Sequence, residues 1–360
     1  MKILLVAGAR PNFMKIAPLV RHLKRDRRCV EWRLIHTGQH YDYEMSKTFF
    51  NDFDIPEPDY FLNVGSGSHA QQTAKIMLEF EKICIDQDPD IVVVVGDVNS
   101  TLACSVTAKK LNIRVAHIEA GLRSGDMSMP EEINRIVTDS ISDYLFVTEK
   151  SGLENLKREG KKDNEVFFVG NIMIDTLFYS LDKLKSLRTE TADSPPYAVV
   201  TLHRPSNVDD KTRLKDILGA LAEISKDMKI YFPIHPRTKK NIGQFSLDNI
   251  IKNTNIIVLP PISYLEFLTL WKDASLVFTD SGGIQEETTA LGIPCFTIRE
   301  NTERPITIEI GTNILVGTTG VKILKAYKEF KKGIKKEGKV PELWDGNAAD
   351  RIIEYLLVER

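Results

Sequence analysis

The sequence predicts an α/β fold made of two Rossmann-like, doubly wound domains with a cleft between them. Short apolar runs alternate along the 360 residues with longer amphipathic runs, which is the pattern of strand–helix–strand units. Several short runs, such as Ile91–Val95, are apolar at every position, as expected of parallel strands that helices cover on both faces. The polar, proline-containing stretch Ser186–Pro196 interrupts the alternation and indicates a linker or exposed loop.

The alternation predicts the individual elements in order. Six strands are predicted before the linker: Ile3–Ala7, Arg33–Thr37, Ile91–Val95, Val115–Ile118, Tyr144–Thr148 and Val166–Val169. The helices between them include Met14–Arg25, Gln72–Ile85, Thr101–Leu111 and Pro130–Ser142. Six strands are predicted after the linker: Ala198–Leu202, Ile230–Pro233, Ile256–Leu259, Leu276–Thr279, Cys295–Ile298 and Asn313–Val316. The Lys-rich run Lys322–Lys339 is interpreted as a solvated helix face, and Ala348–Glu359 as the last helix. The predicted domains are residues 1–170 and 171–345.

The composition excludes several classes of protein. A formal net charge of −2 argues against bulk nucleic-acid binding, which needs a strongly basic face. The four cysteines include no CxxC pair, so neither a disulfide framework nor a zinc site is expected. The apolar run at the N-terminus is too short for a signal peptide, and no stretch approaches the roughly 20 residues of a membrane span. We therefore expect a cytoplasmic protein with reduced thiols.

The stretch Thr279–Glu287 is the most informative part of the chain. A short apolar strand runs into a Ser-Gly-Gly turn, and a helix follows with two carboxylates in its first turns. Backbone N–H groups at a helix N-terminus attract phosphate, and glycine lets the backbone approach an anion closely. A carboxylate about one turn further on would repel phosphate but suits the hydroxyl pair of a ribose. The stretch thus predicts a nucleotide diphosphate site, the alternative being an ordinary turn with capping carboxylates.

Polar side chains also gather where other predicted strands end, which is where open parallel sheets bind ligands. They follow five different strands: Arg10 and Lys15, Asp97, Glu119, His203 with Arg204, and His235. One such residue alone is more often a cap or a structural group. Several converging on one cleft predict a site in which Arg10, Lys15 and Arg304 supply cations for a diphosphate, and acids and a base transfer protons.

Other kinds of site lack their sequence patterns. Neither GxxxxGK[ST] nor GxGxxG occurs, which argues against P-loop and dinucleotide sites. No group of His, Cys and carboxylates has the spacing of metal ligands, and no GxSxG elbow is present.

Taken together, these segments resemble the non-hydrolysing UDP-N-acetylglucosamine 2-epimerases. The resemblance covers nearly the whole chain, and its most specific blocks are Gly8–Lys15, Thr37–His40, Gly96-Asp97, His117–Arg123, Pro130–Arg135, Thr279–Glu287 and Thr302–Pro305. It implies the two-domain fold of the B-type glycosyltransferases (GT-B), with UDP bound by the second domain. It also implies a homodimer, and a C-terminal helix, residues 346–360, that packs back on the first domain.

The family interconverts UDP-N-acetylglucosamine and UDP-N-acetylmannosamine. Carbon 2 of the sugar is not next to a carbonyl, so its direct deprotonation is implausible. The family's route eliminates UDP to a 2-acetamidoglucal and adds UDP back to the other face. That route needs a stabilised diphosphate and proton transfer on both faces of carbon 2. The resemblance implies no metal or nicotinamide cofactor, and a role in making surface polysaccharides or glycan precursors.

The resemblance also implies roles for individual residues. The catalytic positions are Asp97, Glu119, Glu131, Arg135 and His203, with the first two handling protons and His203 serving the diphosphate. The UDP site consists of Arg10, Lys15, Phe267, Ser281, Gly282, Gly283, Glu287 and Arg304. Bacterial members can bind a second UDP-N-acetylglucosamine as activator, and Gln39, Gln72, Glu131, Arg204 and His235 match that site. Gln71 stands where an arginine is expected there.

Three alternatives stay open at this point. Hydrolysing relatives share the fold and release UDP with free N-acetylmannosamine, the difference being whether water reaches the glucal. A glycosyltransferase of the same fold would need an acceptor and would give no product without one. A nucleotide-sugar-binding protein without catalysis would bind UDP and show no turnover.

Overall fold

The computed structural model describes residues 1–26, 28, 30–38, 50, 52–186, 195–334 and 336–358. The chain forms two compact units: unit 1 comprises Met1–Tyr179 and Glu342–Arg360, and unit 2 comprises Ser180–Pro341. Each unit carries its own parallel sheet, so the predicted α/β class with two doubly wound sheets is confirmed. The domain limits predicted at residues 170 and 345, and the cleft between the domains, stay predictions.

Unit 1 alternates strands and helices as the sequence pattern predicts. Its elements are β1 (Lys2–Ala7), α1 (Arg10–Arg25), β2 (Glu31–His36), β3 (Tyr60–Phe61), α2 (His69–Gln87), β4 (Ile91–Val95), α3 (Asn99–Lys110), β5 (Arg114–Ala120), α4 (Pro130–Ile141), β6 (Tyr144–Val147), α5 (Lys150–Arg158), a 3-10 turn (Asp163–Glu165), β7 (Val166–Phe168) and α6 (Ile172–Ser186), which reaches into unit 2, with α15 (Ala348–Val358) at the end of the chain.

Unit 2 repeats the alternation. Its elements are β8 (Tyr197–Thr201), α7 (Pro205–Val208), α8 (Lys211–Ile224), β9 (Lys229–Pro233), α9 (Pro236–Gln244), α10 (Asp248–Ile251), β10 (Ile256–Leu259), α11 (Tyr264–Trp271), β11 (Leu276–Thr279), α12 (Gly282–Ala290), β12 (Cys295–Thr297), α13 (Pro305–Glu309), β13 (Asn313–Leu315) and α14 (Gly320–Lys331). In the described part of the chain, no helix is both long enough and apolar enough to cross a membrane.

Strand order explains where ligands should bind in each sheet. The first sheet runs β3-β2-β1-β4-β5-β6-β7, and the second runs β10-β9-β8-β11-β12-β13. Chain order therefore reverses between β1 and β4 in unit 1 and between β8 and β11 in unit 2. Ligands of open α/β sheets bind beyond the carboxyl ends of the strands at such a switch point. The segments that follow these four strands are accordingly the first candidates for a site.

The central strands are buried on both faces, as their composition predicts. Every residue of Ile91–Val95 and of Leu276–Thr279 is buried. Helices cover both faces of a parallel sheet, which is why these strands contain no solvent-facing polar position. Each unit has its own apolar core, one around Val92 and Phe80 and the other around Phe232 and Phe278.

The two largest errors in the predicted helix limits have local reasons. Helix α1 begins at Arg10 rather than Met14, because a proline at the first turn is compatible with helix geometry and Pro11 stands there. Helix α14 ends at Lys331, so the run Lys322–Lys339 is helical only in its first part. The turn that follows the helix contains Gly333 with a φ of +83°, a conformation that favours glycine.

The C-terminal helix α15 packs against α1 in unit 1. Asp175 in α6 accepts hydrogen bonds from the first backbone N–H groups of α15, at 3.2 Å from Ala348 and 2.8 Å from Ala349. These donors have no partner inside the helix, so the carboxylate caps it from a neighbouring element. Trp344, which is buried, donates its indole N–H to the carbonyl oxygen of Thr148 at 3.1 Å.

Candidate active site

Asp97 lies two residues after the end of β4, at the switch point of unit 1. Its carboxylate accepts hydrogen bonds from Arg135 of α4 at 2.7 and 3.1 Å. Arg135 also pairs with Glu132, so one buried guanidinium joins two carboxylates. The side chain of Asp97 remains 31% exposed, whereas that of Glu132 is buried. Asp97 is therefore the acid that is both fixed in place and accessible to a ligand.

Glu119 lies near the end of the neighbouring strand β5, in a backbone conformation that is unusual for a non-glycine residue. Its φ is +75°, and the pairing between β5 and β6 shifts register between Ile118 and Ala120. Such a bulge re-aims a side chain, and left-handed backbone outside glycine costs of the order of 1–2 kcal/mol. The carboxylate of Glu119 pairs with Lys15 of α1, and both residues are buried.

The ion pair of Lys15 and Glu119 stands over Gly96, the residue just before Asp97. A methyl group in place of the Gly96 hydrogen would lie 3.1 Å from the Lys15 ammonium and 3.5 Å from the Glu119 carboxylate. Gly96 also has a φ of +67° and donates its N–H to the carbonyl of Ile118 at 3.0 Å. The structure thus brings the turn that carries Asp97 and the end of β5 that carries Glu119 together at one edge of the sheet.

Behind these two acids lies a buried network that the sequence reasoning missed. His117 of β5 makes ring hydrogen bonds with Asp139 at 2.6 Å and with the carbonyl oxygen of Gly96 at 2.8 Å. Asp139 also accepts from the N–H of Gly121 at 3.0 Å and pairs with Arg123 at 2.7 Å. Burial raises the pKa of Asp139, but His117 and Arg123 lower it by more than burial raises it. The pKa of Asp139 therefore lies below its usual range. The network fixes the backbone on both sides of Glu119.

In unit 2, His203 follows β8 and is oriented by a carboxylate from the neighbouring strand. Its ring nitrogen Nδ1 lies 3.0 Å from Asp280, the residue directly after β11. Asp280 is fully buried and also accepts from the backbone N–H groups of His203 and Arg204 and from the Asn207 amide, at 3.0 to 3.2 Å. The sequence reasoning missed Asp280, which joins the histidine turn to the Ser-Gly-Gly turn.

The Ser-Gly-Gly turn has the geometry of an anion site. Ser281 precedes α12 and makes no side-chain capping bond, and Gly282 and Gly283 form the first turn of the helix. The first N–H groups of a helix have no intrahelical partner and carry the positive end of its dipole. A carboxylate of Glu303 lies near Gly282, since a methyl group built there would approach it to 3.1 Å.

Arginines surround Glu303. Arg204 lies 3.0 Å and Arg299 2.6 Å from its carboxylate, and the charge of Arg304 also acts on it. Burial raises the pKa of Glu303, but the arginines outweigh burial and hold it well below its usual range. The charge of Glu303 beside the Ser-Gly-Gly turn is thus balanced by neighbouring arginines.

Glu287 lies on the face of α12 that carries Gly283, four residues earlier, so the two groups are about 6 Å apart along the helix axis. It is 1% exposed, and its Oε1 accepts a hydrogen bond from the Tyr264 hydroxyl at 2.6 Å. Its Oε2 is buried and has no hydrogen-bond partner among the described residues. Glu286, the acid just before Glu287 in the chain, pairs with Arg304 at 2.7 Å.

The remaining predicted site residues are Arg10, Phe267 and Glu131. Arg10 is exposed at the start of α1, and Phe267 is half-buried in α11. Glu131 is half-buried and makes no ion pair or hydrogen bond with the described residues. Glu132 beside it accepts backbone hydrogen bonds from Ser124 and Gly125 at 2.9 to 3.0 Å.

The residues of the expected activator site lie in both units. Gln72 is buried in α2 and hydrogen-bonds to Gly65 and Asn99 in unit 1. In unit 2, the rings of His203 and His235 are 5.8 Å apart, and His235 caps α9. Arg204 contacts Glu303 and the carbonyl oxygen of Asp280. Gln39 lies outside the described residues.

Within the described ranges, no three His, Cys, Asp or Glu side chains are grouped as metal ligands would be. The described cysteines, Cys84, Cys104 and Cys295, are free and buried. Burial raises the thiol pKa of Cys84 and of Cys295 to about 12, so neither is a reactive thiolate.

Comparison with known proteins agrees with the fold and with the order of the motifs. The family model described as UDP-N-acetylglucosamine 2-epimerase matches residues 21–357. The UDP-N-acetylglucosamine 2-epimerase of Methanocaldococcus jannaschii is 44% identical over 365 residues, covering 99% of each chain. The UDP-2,3-diacetamido-2,3-dideoxy-D-glucuronate 2-epimerase of Pseudomonas aeruginosa is 40% identical over 361 residues, again covering 99% of each.

A solved structure gives the same result in three dimensions. The crystal structure of the Methanocaldococcus jannaschii UDP-GlcNAc 2-epimerase in complex with UDP-GlcNAc and UDP superimposes with a TM-score of 0.88 at 43% identity, covering 99% of each chain. The resemblance read from the motifs is thereby confirmed, and the chain belongs to the UDP-N-acetylglucosamine 2-epimerase family.

Proposed function

We propose that the protein interconverts UDP-N-acetylglucosamine and UDP-N-acetylmannosamine without hydrolysing them. The observation that carries the proposal is the placement of Asp97 and Glu119 beside Gly96, each paired with a cation, at the switch point of the unit 1 sheet. Two acids held in different environments are what proton removal at one face and proton delivery at the other require. Full-length identity of 44% to a relative with this name supports the choice of substrate.

The reaction follows from the weak acidity of carbon 2. One carboxylate takes the proton from carbon 2 while the bond between carbon 1 and the glycosidic oxygen breaks, and its electron pair leaves on the β-phosphate of UDP. A carbon 1–carbon 2 double bond forms, which is a 2-acetamidoglucal. UDP then adds back to carbon 1, and a proton is delivered to the opposite face of carbon 2. No atom is gained or lost, so neither an oxidant nor a reductant is needed.

Unit 1 would carry out the proton transfers. Asp97 is paired with Arg135 and is partly exposed, while Glu119 is buried against Lys15. Glu131, which is half-buried and unpaired among the described residues, is the third acid that could reach a substrate.

Unit 2 would hold the nucleotide. Gly282 and Gly283 present helix N–H groups to the diphosphate, and Glu287 accepts the ribose hydroxyls about one turn further on. His203, oriented by Asp280, would donate to the departing phosphate oxygen. Retention of UDP after elimination is what separates this reaction from hydrolysis, so tight diphosphate binding favours the non-hydrolysing route.

The experiment is an incubation with UDP-N-acetylglucosamine alone in deuterated water, followed by proton NMR. The proposal predicts a UDP-N-acetylmannosamine signal with deuterium at carbon 2. Free UDP with free N-acetylmannosamine would show the hydrolysing reaction instead. No change in the spectrum would refute both, since the incubation already contains the UDP-N-acetylglucosamine that activates bacterial members of the family.

A second candidate substrate is favoured by one comparison. The Pseudomonas aeruginosa relative, 40% identical over 99% of each chain, is a 2-epimerase of a UDP-linked diacetamido-dideoxy-glucuronate. That sugar keeps the 2-acetamido group and the UDP but adds a carboxylate at carbon 6 and an acetamido group at carbon 3. A kcat/KM for this substrate above that for UDP-N-acetylglucosamine would establish it as the preferred one, and the order reversed would exclude it.

A further inference from the structure

Tyr264 makes a hydrogen bond to Glu287 that the proposed reaction does not explain. Its hydroxyl lies 2.6 Å from Oε1 of Glu287, and the two residues come from different helices, α11 and α12. Tyr264 is half-buried, and burial together with the charge of Glu287 raises its pKa well above the usual value. The hydroxyl therefore keeps its proton throughout the neutral range and acts as a hydrogen-bond donor to the carboxylate.

The local structure of α11 fixes the position of this hydroxyl. Ser263 accepts a side-chain hydrogen bond from the N–H of Glu266 at 3.3 Å, and Glu266 accepts from the N–H of Ser263 at 2.8 Å. This reciprocal capping box holds the first turn of the helix, and Tyr264 is its first residue. Phe267 follows three residues later, so it lies on the same helix face as Tyr264.

Tyr264 occupies one oxygen of Glu287 and leaves the other without a partner. Oε2 is buried and has no hydrogen-bond partner in the described part of the protein. A buried carboxylate oxygen without a partner is costly, so its retention points to a ligand donor that it accepts from. An ionised carboxylate accepts about four hydrogen bonds, enough for the tyrosine and two ribose hydroxyls.

The surroundings of Glu287 disfavour its charged form when no ligand is bound. Burial raises the pKa of Glu287 to about 8, the hydrogen bond from Tyr264 opposes that rise, and the neighbouring charge of Glu286 adds to it. Glu286 itself pairs with Arg304 at 2.7 Å. Near pH 7 the carboxyl group therefore holds its proton until a donor-rich ligand arrives.

We propose that Tyr264 is a positioning residue for Glu287, holding one oxygen so that the other meets the ribose hydroxyls, and that nucleotide binding expels the carboxyl proton to solvent. The inference rests on the proposed assignment of the nucleotide to unit 2. Three donors, two from the ribose and one from the tyrosine, select the ionised carboxylate, so binding and deprotonation are linked. Affinity for UDP then increases with pH up to about 8 and is constant above it.

The test is calorimetric titration of UDP and of 2′-deoxy-UDP into the full chain between pH 7 and pH 9. Above pH 7 the terminal phosphate, with a pKa of about 6, is already ionised and contributes no pH dependence of its own. Running each titration in two buffers of different ionisation enthalpy counts the protons released. Wild type should release up to one proton at pH 7 and almost none at pH 9, and Glu287→Gln should release none at either pH.

The variant Tyr264→Phe separates positioning from a purely structural role. Loss of one hydrogen bond should weaken UDP binding roughly 3- to 10-fold at pH 7 and move the rise in affinity to higher pH. The effect on 2′-deoxy-UDP should be smaller, because one ribose donor is already absent. Tyr231→Phe is the matched control, because the Tyr231 hydroxyl makes no hydrogen bond with the described residues and its ring lies against Tyr197 and Lys229.

The outcomes distinguish this inference from the proposed function. An unchanged affinity and pH profile in Tyr264→Phe would overturn the inference, as would equal weakening of both nucleotides. UDP binding by wild type without proton release would also overturn it while leaving the nucleotide site intact. Failure of wild type to bind UDP at all would refute the nucleotide assignment itself. If Tyr264→Phe does not fold, the proton count of wild type against Glu287→Gln still decides the linkage.

Discussion

Replacing Asp280 by asparagine should damage both stability and catalysis, because this side chain joins two turns of unit 2. The carboxylate is fully buried and accepts from the backbone of His203 and Arg204, from the Asn207 amide and from the His203 ring. Asparagine has the same shape but only one acceptor oxygen. Its NH₂ group must face a donor wherever it points, so at least one hydrogen bond is lost and the charge disappears.

The cost follows from the contacts. Hydrogen bonds to a charged group contribute about 1.5–3 kcal/mol each, and an unpaired buried donor adds a desolvation penalty of similar size. We expect a loss of roughly 2–4 kcal/mol, which lowers the melting temperature of a unit of this size by about 5–15 °C. His203 also loses the partner that orients its ring, so kcat should fall more than tenfold while UDP still binds.

The pH dependence gives the prediction a second readout. Hydrogen bonds and the His203 charge hold the pKa of Asp280 below its usual range, although burial alone would raise it. A carboxyl group with a lowered folded pKa stabilises the fold above its unfolded pKa of about 3.9 and loses that effect as pH falls through the folded value. The difference between wild type and Asp280→Asn should thus be constant above about pH 5 and shrink below about pH 4.

The assay is thermal unfolding followed by circular dichroism at pH 7, 5 and 3, together with steady-state kinetics. Asp248→Asn is the control, because Asp248 is exposed in the same unit and makes no side-chain hydrogen bond among the described residues, and it should change stability by less than about 0.5 kcal/mol. If Asp280→Asn were as stable as this control at pH 7, the buried carboxylate would not join the two turns as described.

Three further predictions concern single sites. Gly121→Ala should destabilise the protein by at least about 2 kcal/mol in urea unfolding, because Gly121 has a φ of +80° and the added carbon would lie 2.5 Å from the carbonyl oxygen of Gly152. The control Gly219→Ala should not destabilise it, because Gly219 lies in a helix with open space around it. Asp175→Ala removes the cap of α15 and should cost about 1–2 kcal/mol, against no loss for the exposed Asp182→Ala; equal unfolding midpoints would contradict the cap. Wild type should lose stability relative to Glu287→Gln as pH rises from about 4.3 towards 8, because the pKa of Glu287 is raised to about 8 in the folded protein, so the carboxyl group ionises more readily in the unfolded chain. Parallel curves of unfolding free energy against pH for the two proteins would refute this.

The sequence predicts the central strands well because their physics is local. Ile91–Val95 and Leu276–Thr279 were predicted with the limits that the structure has, since uninterrupted apolar runs mark strands buried on both faces. The limits of the edge strand Ile256–Leu259 were also predicted correctly, although Ile257 and Val258 are exposed. Strand β3 escaped prediction because it has only two residues, too few to show a period.

The residues of the candidate site also include some that the sequence predicts and some that it does not. Residues at strand ends, such as Asp97 and Glu119, were found from the sequence because parallel strands bring their carboxyl ends to one edge. The missed residues act through partners far away in the chain: Asp280 contacts His203 from 77 positions away, and Tyr264 contacts Glu287 from 23. Such pairings depend on how the helices pack, and periodicity along the chain contains no signal for them.

The central claim is that the glycosidic oxygen leaves with UDP and returns. The most direct test uses UDP-N-acetylglucosamine labelled with ¹⁸O in the bridge between carbon 1 and the β-phosphate, recovered after incubation and analysed by ³¹P NMR. Elimination and re-addition predict that the label spreads into the non-bridging β-phosphate positions while UDP stays bound and rotates, in both the recovered substrate and the epimer. Epimerisation with the label still wholly in the bridge would contradict the account, in which the three terminal oxygens of the released β-phosphate exchange positions before UDP adds back.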